Sequence, residues 1–173
     1  MINDREISYR SLLCPPAPTS TILIRLMAGG VFLSEGVLKF VYTNQGVGRF
    51  TKIGFPFPAF TAHSIGVLEI VGGLMLITGL LTRVMSFIFI GEMIVAILTT
   101  KVALYLGTSP LPLPPAPPQI GFWAVMHESR SDVAQLLTCA YLMMAGPGRW
   151  SADHLLSAQP LKPQSRYATA LAA

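Results

Sequence analysis

Three stretches of the chain, from about Thr21 to Tyr42, Thr61 to Leu81 and Val84 to Leu106, stay apolar long enough to cross a bilayer. A helix rises about 1.5 Å per residue, so roughly 20 apolar residues span a hydrocarbon core of about 30 Å. In lipid a segment must satisfy its own backbone polar groups, which restricts spanning structures to helices and closed barrels. These blocks lack the alternating apolar and polar pattern of barrel strands. A fourth block, Val133 to Ala145, is shorter. It crosses only with Ser131, Asp132 and Gly146 to Gly148 at the interfaces, as a span of about 131–147. The expected fold class is all-α: an integral membrane four-helix bundle, antiparallel, with both termini on the same side.

Composition agrees. The 173 residues are 52% hydrophobic and only 12% charged, about half the charge of a soluble domain. Disorder and a disulfide scaffold are both excluded, since the first needs low hydrophobicity and the second needs more than two cysteines. Three segments follow: a polar, Pro-rich tail over 1–20, a four-span membrane domain over 21–156, and a C-terminal tail over 157–173. The first tail carries Asp4, Arg5, Glu6 and Arg10 where a cleaved signal would place its apolar core, so no signal peptide is expected. Pro18-Thr19-Ser20-Thr21 reads as the capped start of the first helix.

The connections shape the bundle. Gly79 to Arg83 is too short for anything but a hairpin between the second and third spans. Phe55-Pro56-Phe57-Pro58 breaks any helix joining the first and second, and suits the membrane interface. Six of the eleven residues in the loop 109–119 are proline, which favours a semi-rigid extended arm. Arg5, Arg10, Arg83, Arg149, Lys162 and Arg166 fall on the side of the termini, against Lys39, Arg49, Lys52, Lys101 and Arg130 on the other. That bias favours cytoplasmic termini. The net charge of +4 fits anionic headgroups and calls for no nucleic acid.

Ionisable residues inside the spans are the candidate site, because a charge at mid-bilayer costs at least about 2.5–3.5 kcal/mol and so turns inward toward partners. They are Arg25, Glu35 and Lys39 in the first span, Glu69 in the second and Glu92 in the third, with His63 near Glu69. Counting residues from the span ends suggests two levels: Arg25 with Glu92, and Glu35, Lys39 and Glu69 with His63. Such groups either line a polar cavity or fix helix register as ion pairs. Glycines recur in the first two spans, as expected of closely packed membrane helices. The histidines are isolated and Cys14 and Cys139 lie far apart, so neither a metal site nor a disulfide is expected.

Four segments in order carry a resemblance: Arg25 to Phe40, Gly66 to Arg83, the Gly54 to Pro58 turn, and Gly146-Pro147-Gly148-Arg149-Trp150-Ser151-Ala152-Asp153. Over about residues 20–156 the chain resembles the DoxX family of four-helix bacterial membrane proteins. The resemblance implies a bacterial inner-membrane location and association with redox or oxidative-stress proteins. The family name derives from a relative of the small subunit of a thiosulfate:quinone oxidoreductase; with no electron carrier in this chain, a redox role implies a diffusible quinone or a cofactor that belongs to a partner. Arg25, Lys39, Glu69, Arg83, Arg149 and Asp153 occupy family-like positions. Glu35, Glu92 and the long proline arm depart from the pattern. Arg83 and Asp153 are expected to approach and, with Arg149, to tie the hairpin turn to the C-terminal segment.

Three roles are compatible with the sequence. The first is an accessory subunit beside a membrane or peripheral oxidoreductase partner. The second is a non-enzymatic scaffold or assembly factor. The third is a small-solute or proton pathway, which would require a homo-oligomer.

Overall fold

A computed structural model describes residues 18–157; the rest of the two tails, with Cys14, lies outside the described residues. The first long helix, α1 (Thr21–Val41), starts where expected, but no side chain caps it. The carbonyls of Pro18, Thr19 and Ser20 instead accept from the amides of Thr21, Ile22 and Leu23. A short helix, α2 (Val47–Ile53), follows and ends on Gly54. Pro58 opens α3 (Pro58–Thr78) three residues before the expected boundary. Proline's fixed φ suits a first helical turn, where its missing N–H costs nothing.

Three residues, Gly79 to Leu81, connect α3 to α4 (Thr82–Ala96). The helix then widens into a π-helical turn, Ile97–Lys101, and finishes as α5 (Val102–Tyr105). After the proline-rich loop come α6 (Phe122–Glu128), α7 (Arg130–Ala145) and α8 (Ala152–Ser157). Among the described residues there is no strand. Three helices are long and apolar enough to cross a membrane: Thr21–Val41, Pro58–Thr78 and Thr82–Tyr105. With 16 residues, α7 is shorter, about 24 Å at the usual rise.

α1 packs chiefly on α3, and α4 chiefly on α7, while contacts between α1 and α7 and between α3 and α4 join the two pairs. Their shared core holds Ala28, Phe32, Leu76, Met85, Phe89, Met93, Cys139 and Leu142. Phe32 and Phe89 stack with centroids 3.7 Å apart.

Glycine sets the α1–α3 separation. A Cβ on Gly29 would lie 2.6 Å from the Gly73 carbonyl oxygen, and one on Gly36 would lie 2.8 Å from that of Gly66. Each contact is with backbone, which cannot rotate aside. Gly73→Ala is therefore expected to cost about 1–3 kcal/mol, measured as earlier denaturant unfolding in detergent. Gly30 has open space around its missing Cβ. Gly30→Ala should match or exceed the parent, because alanine suits a helix interior better.

Candidate functional site

The polar residues of the long helices separate into two groups at different heights. One surrounds a cavity of about 540 Å³ between α1, α3, α4 and the start of α7. α1 contributes Glu35 and Lys39, one helical turn apart and so on one face. Lys39 Nζ lies 2.5 Å from Glu69 Oε2 of α3, with both side chains largely buried. Glu92 of α4 lies against Glu69, so two carboxyls share this lysine. Apolar walls are supplied by Phe32, Ile65, Leu68, Ile88 and Met93.

The cavity opens sideways. Val31, Glu35, Ile88, Gly91 and Val95 line it and are also exposed, and they lie on the facing edges of α1 and α4. That edge is where acyl chains would reach a molecule spanning a bilayer.

The π turn forms part of the wall. There the hydroxyls of Thr99 and Thr100 donate to the Val95 and Ala96 carbonyls at 2.7 and 2.6 Å. π turns inside α-helices often mark functional sites, because the extra residue redirects the side chains that follow. Within this turn Thr100 and Lys101 line the cavity, and Lys101 Nζ faces Asp132 Oδ2 across 3.7 Å.

A second cavity of about 390 Å³ adjoins the first, sharing Gln45, Arg49, Thr100 and Lys101. The proline-rich loop covers it through Leu111 to Pro115, and Arg49, Lys52 and Lys101 make it basic. Gln119 Nε2 ties this loop to itself by donating to the Pro114 carbonyl at 2.8 Å.

Arg25 belongs elsewhere, which corrects its expected pairing with Glu92. Its guanidinium is 2% exposed and donates to four carbonyls: Leu76 (3.1 Å), Ile77 (2.9 Å), Pro147 (2.6 Å) and Trp150 (2.8 Å). The first two lie in the last turn of α3, where carbonyls lack intrahelical donors and the helix dipole favours a cation. Glu92 instead joins the Lys39–Glu69 level.

His63 is also corrected: it is exposed, stacks on Phe40 at 5.4 Å, and does not line the cavity.

The tie between the hairpin turn and the C-terminal segment exists, with different partners from those expected. Asp153 accepts from the amides of Leu81 (2.8 Å) and Thr82 (3.1 Å), and its own amide donates to the Gly79 carbonyl. The carboxylate thus holds Leu81 at φ 48, a strained region for a branched side chain, and caps α4. Arg83 reaches the Met144 carbonyl at 3.5 Å rather than Asp153, and Arg149 is exposed outside the tie. Asp153→Ala is expected to destabilise the fold by about 1–2 kcal/mol, as lost caps do, read from thermal unfolding in detergent.

Asp132, Gln135, Arg49 and Lys101 are cavity residues that the sequence-based expectation did not include. The available signal was spacing: Asp132 and Gln135 are three apart and share a face of α7. Among the described residues, no group of three or more His, Cys, Asp or Glu side chains is placed to hold a metal ion.

Comparison with known proteins adds a family and two relatives. The DoxX family model matches residues 20–102. "Uncharacterized membrane protein Rv3486" of Mycobacterium tuberculosis is 42% identical over 156 residues, covering 87% of this chain and 89% of that protein. "Putative oxidoreductase CatD" of Bacillus subtilis is 35% identical over 81 residues, covering 47% of this chain and 59% of that protein. No solved structure matches.

Proposed function

From the premise that this chain belongs to the DoxX family of membrane proteins, we propose that it is an accessory subunit of a quinone-linked redox or oxidative-stress system. In this reading α7 completes an antiparallel four-helix bundle in the bacterial inner membrane, with both termini cytoplasmic. The cavity holds the head group of a quinone, and a membrane or peripheral oxidoreductase works beside it. The name of the Bacillus subtilis relative supports the redox direction.

The observation that carries the proposal is a charged cavity that opens sideways between α1 and α4, two helices long and apolar enough to cross a membrane. About 540 Å³ falls within the range of small-molecule pockets. A quinone needs flat apolar walls for its ring, polar groups for its oxygens and a lateral exit for its tail. Phe32, Leu68 and Ile88 meet the first need, Lys39, Glu69 and Glu92 the second, and the gap between α1 and α4 the third. When bound, a quinone would supply two-electron, two-proton chemistry.

The chain's own part is positioning and proton handling. One lysine faces two carboxyls here, so the cluster is electrically balanced only when it carries one proton; Glu69 is fixed by Lys39, and Glu92 lies at the cavity wall.

Native mass spectrometry of the full chain, extracted from its own membranes in mild detergent, tests this role. The expected result is a bound mass matching a quinone, or a co-purifying oxidoreductase subunit. A bare chain, or one carrying phospholipid alone, would contradict it.

A further inference from the structure

We propose that the second, basic cavity binds a singly charged phosphate group, the phosphodiester of an anionic phospholipid. It is a different site from the quinone pocket and does not rest on the quinone-linked reading.

Three cations, Arg49, Lys52 and Lys101, line this cavity of about 390 Å³. Arg49 and Lys52 are three apart on α2 and so share a face. Among the described residues, neither of these two side chains has a hydrogen bond or an ion pair. Lys101 faces Asp132 at 3.7 Å, too long for a hydrogen bond, and Asp132 also feels the charge of Arg49. Glu128 is the acidic residue on the cavity wall, and it contacts His127 at 3.3 Å. Three cations set against two carboxylates leave one positive charge over. A cleft with an excess of one sign concentrates ions of the other.

A phosphodiester brings one negative charge and only acceptor oxygens, and the wall offers donors to meet them. The side-chain amides of Asn44 and Gln45 line it beside the cations. Ser109 Oγ accepts from the Leu111 amide at 3.2 Å and keeps its own hydrogen to donate. Hydrogen bonds between charged partners of this kind are the strong ones.

Height favours a lipid as the source. Arg49 and Lys52 come after Val41, where α1 ends, and Lys101 lies one turn before Tyr105, where α5 ends. Those helices cross the hydrocarbon core, so the cavity sits at the level of one leaflet's phosphates, where basic groups attract anionic lipid. Leu104, Leu111 and Leu113 share the wall with the loop prolines, and Leu113 is 41% exposed. Glycerol esters and acyl chains would cover that apolar surface, whereas inorganic phosphate would leave it bare.

The test titrates the full chain in dodecyl maltoside, read by native mass spectrometry, with dioleoyl-phosphatidylglycerol and separately with dioleoyl-phosphatidylcholine. The anionic lipid is expected to bind about tenfold tighter, the size of one charge-assisted hydrogen bond. Excess inorganic phosphate should not displace it. Arg49→Gln with Lys52→Gln should erase most of the preference while leaving phosphatidylcholine binding unchanged. Arg130→Gln with Arg149→Gln removes as much charge from exposed positions outside the cavity and should keep the preference. Thermal melts establish that both double variants are folded.

Equal binding of the two lipids, or equal loss in both double variants, would overturn the site. Displacement by inorganic phosphate would uphold the phosphate site and overturn the lipid as its source. A quinone retained by the first cavity is read in the same spectra, so failure of either assignment leaves the other standing.

Discussion

Replacing Lys39 with methionine is expected to destabilise the protein by about 3–5 kcal/mol, the usual cost of removing one partner from a buried ion pair. Glu69 is 2% exposed and lies against Glu92, so the variant leaves two neighbouring carboxyls without their contacting cation. Adding Glu69→Leu to Lys39→Met should restore most of the loss, because well-packed apolar residues often replace a buried pair at no cost. Denaturant unfolding of the single and double variants in detergent measures both effects. The double variant also separates fold from function: it should be stable yet fail to bind a quinone. A double variant as unstable as Lys39→Met would show that the pair is not the source of the loss.

Arg25→Met carries the other large effect, about 4 kcal/mol or more. The carbonyls of Ile77, Pro147 and Trp150 lose their guanidinium donor together, and each unmet buried group costs about 1–3 kcal/mol. Loss of the fold at ordinary growth temperature is within reach of that figure, given total stabilities of about 5–15 kcal/mol. Arg25→Lys should recover less than half, since one ammonium cannot reproduce a planar fork reaching two chain segments. Thermal unfolding yields the ranking of parent, lysine and methionine variants. Equal melting of lysine variant and parent would show that charge alone, without the fork, holds this end together.

These two residues also mark what the sequence makes legible. The lengths of three apolar blocks suffice to place α1, α3 and α4, because bilayer thickness sets a minimum that few other folds demand. Lys39 with Glu69 follows from rise per residue. Glu92 is harder to place, because its height depends on where counting starts. Measured from the turn at Gly79 to Leu81, Glu69 and Glu92 are nearly equidistant, and they meet. Counting Glu69 from the far end of its block at Thr61, and Glu92 from the turn-side end of its own at Val84, puts them at different levels, which is why Arg25 seemed the nearer partner.

His63 was readable in principle. It precedes Glu69 by six residues, about 240° around a helix, and so faces away from it.

The rest was beyond reach of pattern. Arg25 and Asp153 bind backbone groups, and no spacing rule names a carbonyl or amide as a partner. Asp132 reads as an interfacial residue and Gln135 lies inside an apolar block, since only packing turns them to the cavity. The proline content of 109–119 predicts a semi-rigid extended arm, but not that it covers a basic second cavity.

The central claim is that a quinone head group occupies the cavity around Lys39, Glu69 and Glu92. Photolabelling with an azido-quinone in native membranes, followed by peptide mapping, tests it most directly. The account predicts label on the segments 31–39 and 88–96, displaced by excess unlabelled quinone and absent from the folded Lys39→Met/Glu69→Leu variant. Label spread over the lipid-facing surface, undiminished by competitor and unchanged in that variant, would contradict it.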